Sequence, residues 1–178
     1  WCQAMAVLIG PHFFLFGVTV ANESERYRKI YRAYLIFGIL NAIGIFFTPY
    51  YVKDLWSFGV FKYQPLGGPL YGVFTAFFFW CTLHSFFVAA SNYRRSTGTQ
   101  LAQLRLFLWG TGIAYSGGGL LFLQAYRIPL PSYGVFPILA YVILIGYSVY
   151  KYQFLDVELV LKRTVVFAIL TAIVFGFV

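Results

Sequence analysis

Charge is what this sequence lacks. Asp, Glu, Lys and Arg make up 10% of its 178 residues, against roughly 25% in a soluble domain. Acids are the scarcest: five, against thirteen Lys and Arg. All five (Glu23, Glu25, Asp54, Asp156 and Glu158) fall between apolar runs. A proton- or ion-coupled transporter usually needs an acid inside the membrane, so that class loses support. Cysteine is nearly absent too. Cys2 and Cys81 each lie in an apolar run and read as small buried hydrophobes rather than a disulfide. Neither has the Cys or His neighbours of a zinc site. No G-x-x-x-x-G-K-[ST] or G-x-G-x-x-G stretch occurs, so no phosphate-binding loop is present, and no catalytic set emerges. No internal repeat is found, which removes support for an inverted-repeat transporter.

What is abundant is apolar and aromatic. Hydrophobic residues make up 61% of the chain, with 21 Phe and 15 Tyr. A soluble protein of this size could not bury that much apolar surface, so lipid must cover much of it. Five runs are long enough to cross a bilayer: Trp1–Val20, Ala33–Val52, Gly68–Ala90, Leu104–Tyr126 and Tyr133–Lys151. A sixth begins at Thr164. Barrel strands are excluded, being about 10 residues long with alternating polarity, whereas these runs are long and apolar on all sides. The fold class is therefore an all-α polytopic transmembrane helix bundle of five full helices and one partial. The last run, Thr164–Val178, would span only about 22 Å of a ~30 Å hydrocarbon core. The natural protein is accordingly expected to continue past Val178, and the opening Trp1-Cys2 reads as the edge of a fragment as well. Residues 1–178 form one helical region.

The net charge of +8 does not indicate nucleic acid, because the basic residues sit between apolar runs and form no continuous face. They report topology instead. Loop 22–32 holds Arg26, Arg28, Lys29 and Arg32. Loop 91–105 holds Arg94, Arg95 and Arg105, and loop 151–163 holds Lys151, Lys162 and Arg163. The alternate loops hold only Lys53, Lys62 and Arg127. By the positive-inside rule the three basic loops are cytoplasmic. Tyr50, Tyr51, Trp56, Tyr63, Tyr126 and Tyr133 then form an outer aromatic belt. Tyr27, Tyr31, Tyr93, Tyr150 and Tyr152 form an inner one. The second loop, Lys53–Gly67, ends in the turn chemistry of Pro65-Leu66-Gly67-Gly68-Pro69. The fourth, Arg127-Ile128-Pro129-Leu130-Pro131-Ser132, is short and stiff and should hold helices four and five as a close pair. Pro11 and Pro137 should kink or start their helices. Gly117-Gly118-Gly119 gives a smooth patch, for a hinge or for ordinary close packing.

Two stretches carry a resemblance. Asn92–Gly112, NYRRSTGTQLAQLRLFLWGTG, is a helix exit, a basic turn and a Gln-Leu-Arg entry into a new helix. Tyr147–Ala168 contains Lys151-Tyr152-Gln153-Phe154-Leu155-Asp156, followed by Lys162-Arg163-Thr164 and a further apolar run. Together they resemble the amino-terminal seven-transmembrane sensor region of bacterial sensor histidine kinases. The resemblance covers the layout of the chain and about 40 residues of recognisable pattern. It implies a sensory region in a bacterial inner (plasma) membrane, acting in a two-component system. Its partners would be the bilayer, a second copy or a larger membrane assembly, a cytoplasmic kinase domain outside this chain, and a response regulator. Tyr152, Leu155, Asp156, Lys162 and Arg163 are the signal-coupling candidates. The fifth loop alternates charge with Leu155, Val157, Leu159 and Leu161, as an interfacial element or a solvated turn would.

Within the runs, polar groups are few enough to name. His12 and His84 lie at similar depth on two helices running the same way, the arrangement that could ligate a haem iron axially. They equally suit neutral, hydrogen-bonded core roles or a pH- or ligand-sensing role. Asn41, His84, Ser85, Tyr115 and Gln124 are the ligand or sensing candidates, while the same groups also serve to join helices by hydrogen bonds. Two alternative functions follow. One is a membrane subunit of an electron-transfer or photosynthetic complex, with His12 and His84 on its cofactor. The other is a structural membrane anchor.

Overall fold

The computed structural model describes residues 2–58, 61–128 and 135–152. Five helices and a hairpin occupy them: α1 (Cys2–Val20), α2 (Ser24–Phe47), β1 (Val52–Phe58), β2 (Phe61–Gly67), α3 (Tyr71–Tyr93), α4 (Gly98–Gln124) and α5 (Val135–Tyr152). Gln3–Val20 of α1, and all of α2, α3 and α4, are long and apolar enough to cross a membrane. The sixth expected segment, from 164 onward, lies outside the described residues.

Local chemistry sets the ends. After α1, Asn22 adopts the left-handed conformation (φ 57°). Its N–H donates to Thr19 O, and that of Glu23 to Val18 O, at 2.9 and 2.8 Å. This pair of bonds is a Schellman cap, and Asn is the residue that most readily replaces glycine there. The chain re-enters helix almost at once. Loop 22–32 is thus corrected: Arg26, Arg28, Lys29 and Arg32 lie on the first turns of α2, which starts nine residues before Ala33. Glu23–Arg26 and Glu25–Arg28 approach to 3.8 and 3.6 Å at i,i+3 spacing, which favours helix in water as well as in lipid. Glu25 is therefore helical rather than in a loop. α2 stops at Phe47, short of Val52, because Pro49 biases Thr48 into extended backbone (φ −136°, ψ 145°). α4 likewise begins at Gly98, so loop 91–105 shrinks to Arg94–Thr97 and Arg105 is helical. Pro11 sits inside α1, and Pro137 falls in the first turn of α5, where a missing N–H has no consequence.

The second loop is the larger correction. It is an antiparallel hairpin, with Leu55 opposite Pro65 and Trp56 opposite Gln64, and it carries two register irregularities. Asp54, expected in a loop, is in β1 and accepts from the Leu55 N–H at 2.7 Å. Backbone bonds fix the hairpin to the bundle: Gly67 N–H donates to Ala125 O (2.8 Å), Gly68 N–H to Tyr51 O and Leu70 N–H to Tyr50 O (both 2.9 Å). Gly68 is required by proximity, since a Cβ there would overlap the Tyr50 carbonyl.

α1 is the central helix. It packs along α2 and α3 and touches α4, and α4 in turn packs on α3 and closely on α5. The core between them is aromatic: Phe14, Phe74 and Phe107 are fully buried, with Val7, Val18, Leu104 and Cys81. Phe13 stacks on Phe107 at 5.5 Å. Close approach comes from glycine. Gly38 of α2 faces Pro11 and Leu8, and Gly17 of α1 faces Ser85 and Phe107. Outside this core the large side chains are turned outward and apolar. Phe47 is 82% exposed, Trp109 70% and Phe87 69%.

Candidate functional site

Beneath the hairpin lies a cavity of about 450 Å³, within the range of small-molecule sites. Gln3, Ile9 and Phe13 of α1 form one side, and Ile138 and Tyr141 of α5 another. Phe78 of α3 and Tyr115, Gly118 and Phe122 of α4 form the back, and Gln64 and Pro65 of β2 close the hairpin end. The rings form a continuous wall: Phe13–Tyr115 centroids are 5.3 Å apart, Phe78–Tyr115 5.9 Å and Phe78–Phe122 4.9 Å. Tilted contacts of this kind avoid the face-to-face sandwich that the quadrupoles of the rings disfavour. Among the described residues, no Asp, Glu, Lys, Arg or His lines the cavity. The polar side chains in its described lining are the amides of Gln3 and Gln64 and the phenols of Tyr71, Tyr115 and Tyr141, and Tyr115 also interacts with Thr82.

Of the sensing candidates, Tyr115 lines this cavity and the others do not. Asn41 is a tie: its amide donates to Phe37 O (2.8 Å), and its carbonyl accepts from the Tyr51 hydroxyl (2.9 Å), which binds the end of α2 to the entry of the hairpin. Ser85, fully buried, donates to Phe13 O across the α1–α3 contact at 3.3 Å. Gln124 is buried in the last turn of α4, beside the Ala125 carbonyl that receives the hairpin.

The histidines take separate surroundings. His12 is exposed, its Nδ1 is 2.8 Å from Leu8 O, and its ring meets Tyr31 edge-on at 6.3 Å. His84 stands among aromatics, with Phe14 at 4.7 Å and Tyr27 at 5.6 Å. Its Nδ1 is 2.9 Å from the Tyr34 hydroxyl, which also accepts from Trp80 Nε1 at 2.7 Å. Tyr34 then donates to Nδ1, and a ring proton on Nε2 satisfies all three groups. Among the described residues no cluster of three or more His, Cys, Asp or Glu is placed to hold a metal. A second cavity, of about 280 Å³, lies at the opposite end and is polar, with Arg26, Arg95, Glu23 and Asn92 in its wall. Tyr152 is the last residue of α5, and Leu155, Asp156, Lys162 and Arg163 lie outside the described residues.

No family model matches the chain, and no curated protein and no solved structure matches it. Gln3, Gln64 and Tyr141 had no signal in the sequence. They are far apart in the chain, and the hairpin that brings Gln64 over the helices reads there as a loop.

Proposed function

We propose that this chain is the membrane-embedded sensory region of a bacterial sensor histidine kinase, spanning the inner membrane as a polytopic helix bundle. A ligand or a change in the membrane biases two packings of the bundle, and the bias passes through α5 toward a cytoplasmic output domain. The observation that carries the reading is the cavity, uncharged among its described lining residues, which joins α1, α3 and α4 to α5, the helix that leads into the Lys151–Arg163 segment. The four long apolar helices and their outward apolar side chains support the membrane placement. The basic residues clustered at the end away from the hairpin support the orientation. His12 and His84 play no cofactor role in this reading.

Two measurements test it. In a cysteine-free background, Thr97→Cys should react with an impermeant maleimide only from the cytoplasmic side, and Ser57→Cys in the hairpin only from outside. Membranes containing the natural protein, given labelled ATP, should yield an acid-labile, base-stable phosphoprotein. Reversed labelling would overturn the orientation, and absence of that phosphoprotein would overturn the kinase assignment.

A further inference from the structure

We infer that the cavity beneath the hairpin binds an elongated, uncharged, flat molecule of two or three rings that carries a hydrogen-bonding oxygen at each end. The inference deepens the sensory reading and rests on it for its consequence, although binding can be measured without any signalling output.

Three observations define the ligand. The first is the absence of charge among the described lining residues: an ionic head group would lose its water against them without a countercharge, so the occupant is neutral. The second is the wall. Phe13, Phe78, Tyr115 and Phe122 present ring faces and edges along one side, and a flat ring system covers more of them than a bent acyl chain does. The third is where the polar groups lie. Gln3, Gln64 and Tyr71, the first residue of α3 and a neighbour of Gly67, are at the hairpin end, whereas Tyr115, in contact with Phe13, is deeper, with Tyr141 interacting with it. Gln3 and Phe13 are ten residues apart on one helix, which is about 15 Å along its axis. An oxygen at each end of a molecule of that length meets Gln3, Gln64 and Tyr71 at one end and Tyr115 and Tyr141 at the other. The middle of the molecule needs no polar partner.

The way in is from the side. Among the described residues α5 packs closely on α4, while α1 and α5 line the cavity from different sides, and the approach between those two helices is the route we assign. A ligand of this chemistry partitions into lipid, and both a resident membrane compound and a diffusible aromatic could enter there. Tyr141 lines the cavity from α5, with its ring against Gly110 of α4.

The test uses the natural protein in nanodiscs and three probes of one shape: 4,4″-dihydroxy-p-terphenyl, the parent hydrocarbon p-terphenyl, and the 4,4″-dicarboxylate. Retention is measured by equilibrium dialysis against empty nanodiscs. The dihydroxy probe should be retained at least about tenfold more strongly than the hydrocarbon, the equivalent of two modest hydrogen bonds. The dicarboxylate should show no excess over empty discs. Tyr141→Phe and Gln64→Leu should each weaken the dihydroxy probe about three- to tenfold and leave the hydrocarbon unchanged. Ala114→Phe, which fills the cavity, should abolish retention of both. Tyr141→Phe keeps the ring and its packing, so it serves as the variant in which folding is not in question. Native mass spectrometry of the protein taken directly from its own membranes separates the two sources. A retained neutral compound marks a membrane-resident ligand, and binding only of added probe marks a diffusible one. Equal retention of the hydrocarbon and the dihydroxy probe, or tight binding of the dicarboxylate, would overturn the inference. Phosphorylation is not read in this experiment, so its result stands apart from that of the kinase assay.

Discussion

Replacing Gly17 by alanine tests the packing of α1 against α3. A Cβ at Gly17 would overlap Ser85 Oγ and would stand 3.1 Å from Ser85 Cβ and 3.0 Å from Phe107 Cζ. Ser85 and Phe107 are both fully buried, so neither can swing into open space. Overpacking of this kind costs about 1–3 kcal/mol. The hydrogen bond from Ser85 to Phe13 O would also be strained or lost, at about 0.6 kcal/mol for an interhelical bond in a membrane. Against these stands a gain of up to about 1 kcal/mol from exchanging glycine for alanine in a helix. The net expectation is a destabilisation of about 1–2 kcal/mol. Removing the hydroxyl relieves the worst overlap, so Gly17→Ala with Ser85→Ala should recover at least about half of it. Reversible unfolding in mixed micelles, run as a double-mutant cycle, measures both numbers. A Gly17→Ala protein as stable as the wild type, or a coupling energy of zero, would refute this account of the α1–α3 contact.

Three further outcomes follow from the structure. Gly68→Ala should be more damaging than Gly17→Ala, because the overlap is with the Tyr50 backbone, which cannot rotate away; limited proteolysis should then cut the hairpin, and the melting temperature should fall. Tyr34→Phe removes the acceptor of Trp80 Nε1 and the partner of His84 Nδ1, for about 1–2 kcal/mol, with a shift in tryptophan emission that Tyr31→Phe does not reproduce. Arg127 caps α4 in the left-handed region (φ 61°), with its N–H on Gln124 O and that of Ile128 on Leu123 O. Arg127→Gly should therefore stabilise the protein by up to about 1 kcal/mol in thermal unfolding, and Arg127→Val should destabilise it.

The helices were legible because hydrophobicity marks them, but it marks the hydrocarbon rather than the helix. Charged residues such as Arg26 and Lys29 end an apolar run without ending a helix, since backbone hydrogen bonds form as well in water as in lipid. That is why α2 and α4 start before their apolar runs do. The hairpin was not legible for a different reason. Its two register irregularities break the alternation that identifies strands, and its anchors, Ala125 and Asn41, are remote in sequence. The site shared this fate. Asn41 and Ser85 were visible as rare polar residues in apolar runs, but only the packing shows that they tie elements together. Tyr115 reaches the cavity because it follows Ala114 by one residue and precedes Gly118 by three, so all three fall near the same side of α4. Depth along a helix can be counted from sequence; the direction a side chain faces depends on which neighbour the helix meets.

The hairpin fastens the neighbouring ends of three helices at once. Tyr51 holds α2 through Asn41, Gly68 and Leu70 hold the approach to α3, and Gly67 holds the end of α4. Rods pinned at one end act as levers. α3, with 23 residues, is about 34 Å long, and a tilt of about 5° at the pinned end moves the far end by roughly 3 Å. A displacement too small to disturb the packing around the hairpin is thus magnified at the basic end, where α2 and α3 carry Arg26 and the approach to Arg94 and Arg95. Any pivot at the hairpin would therefore put the largest displacement among the charges.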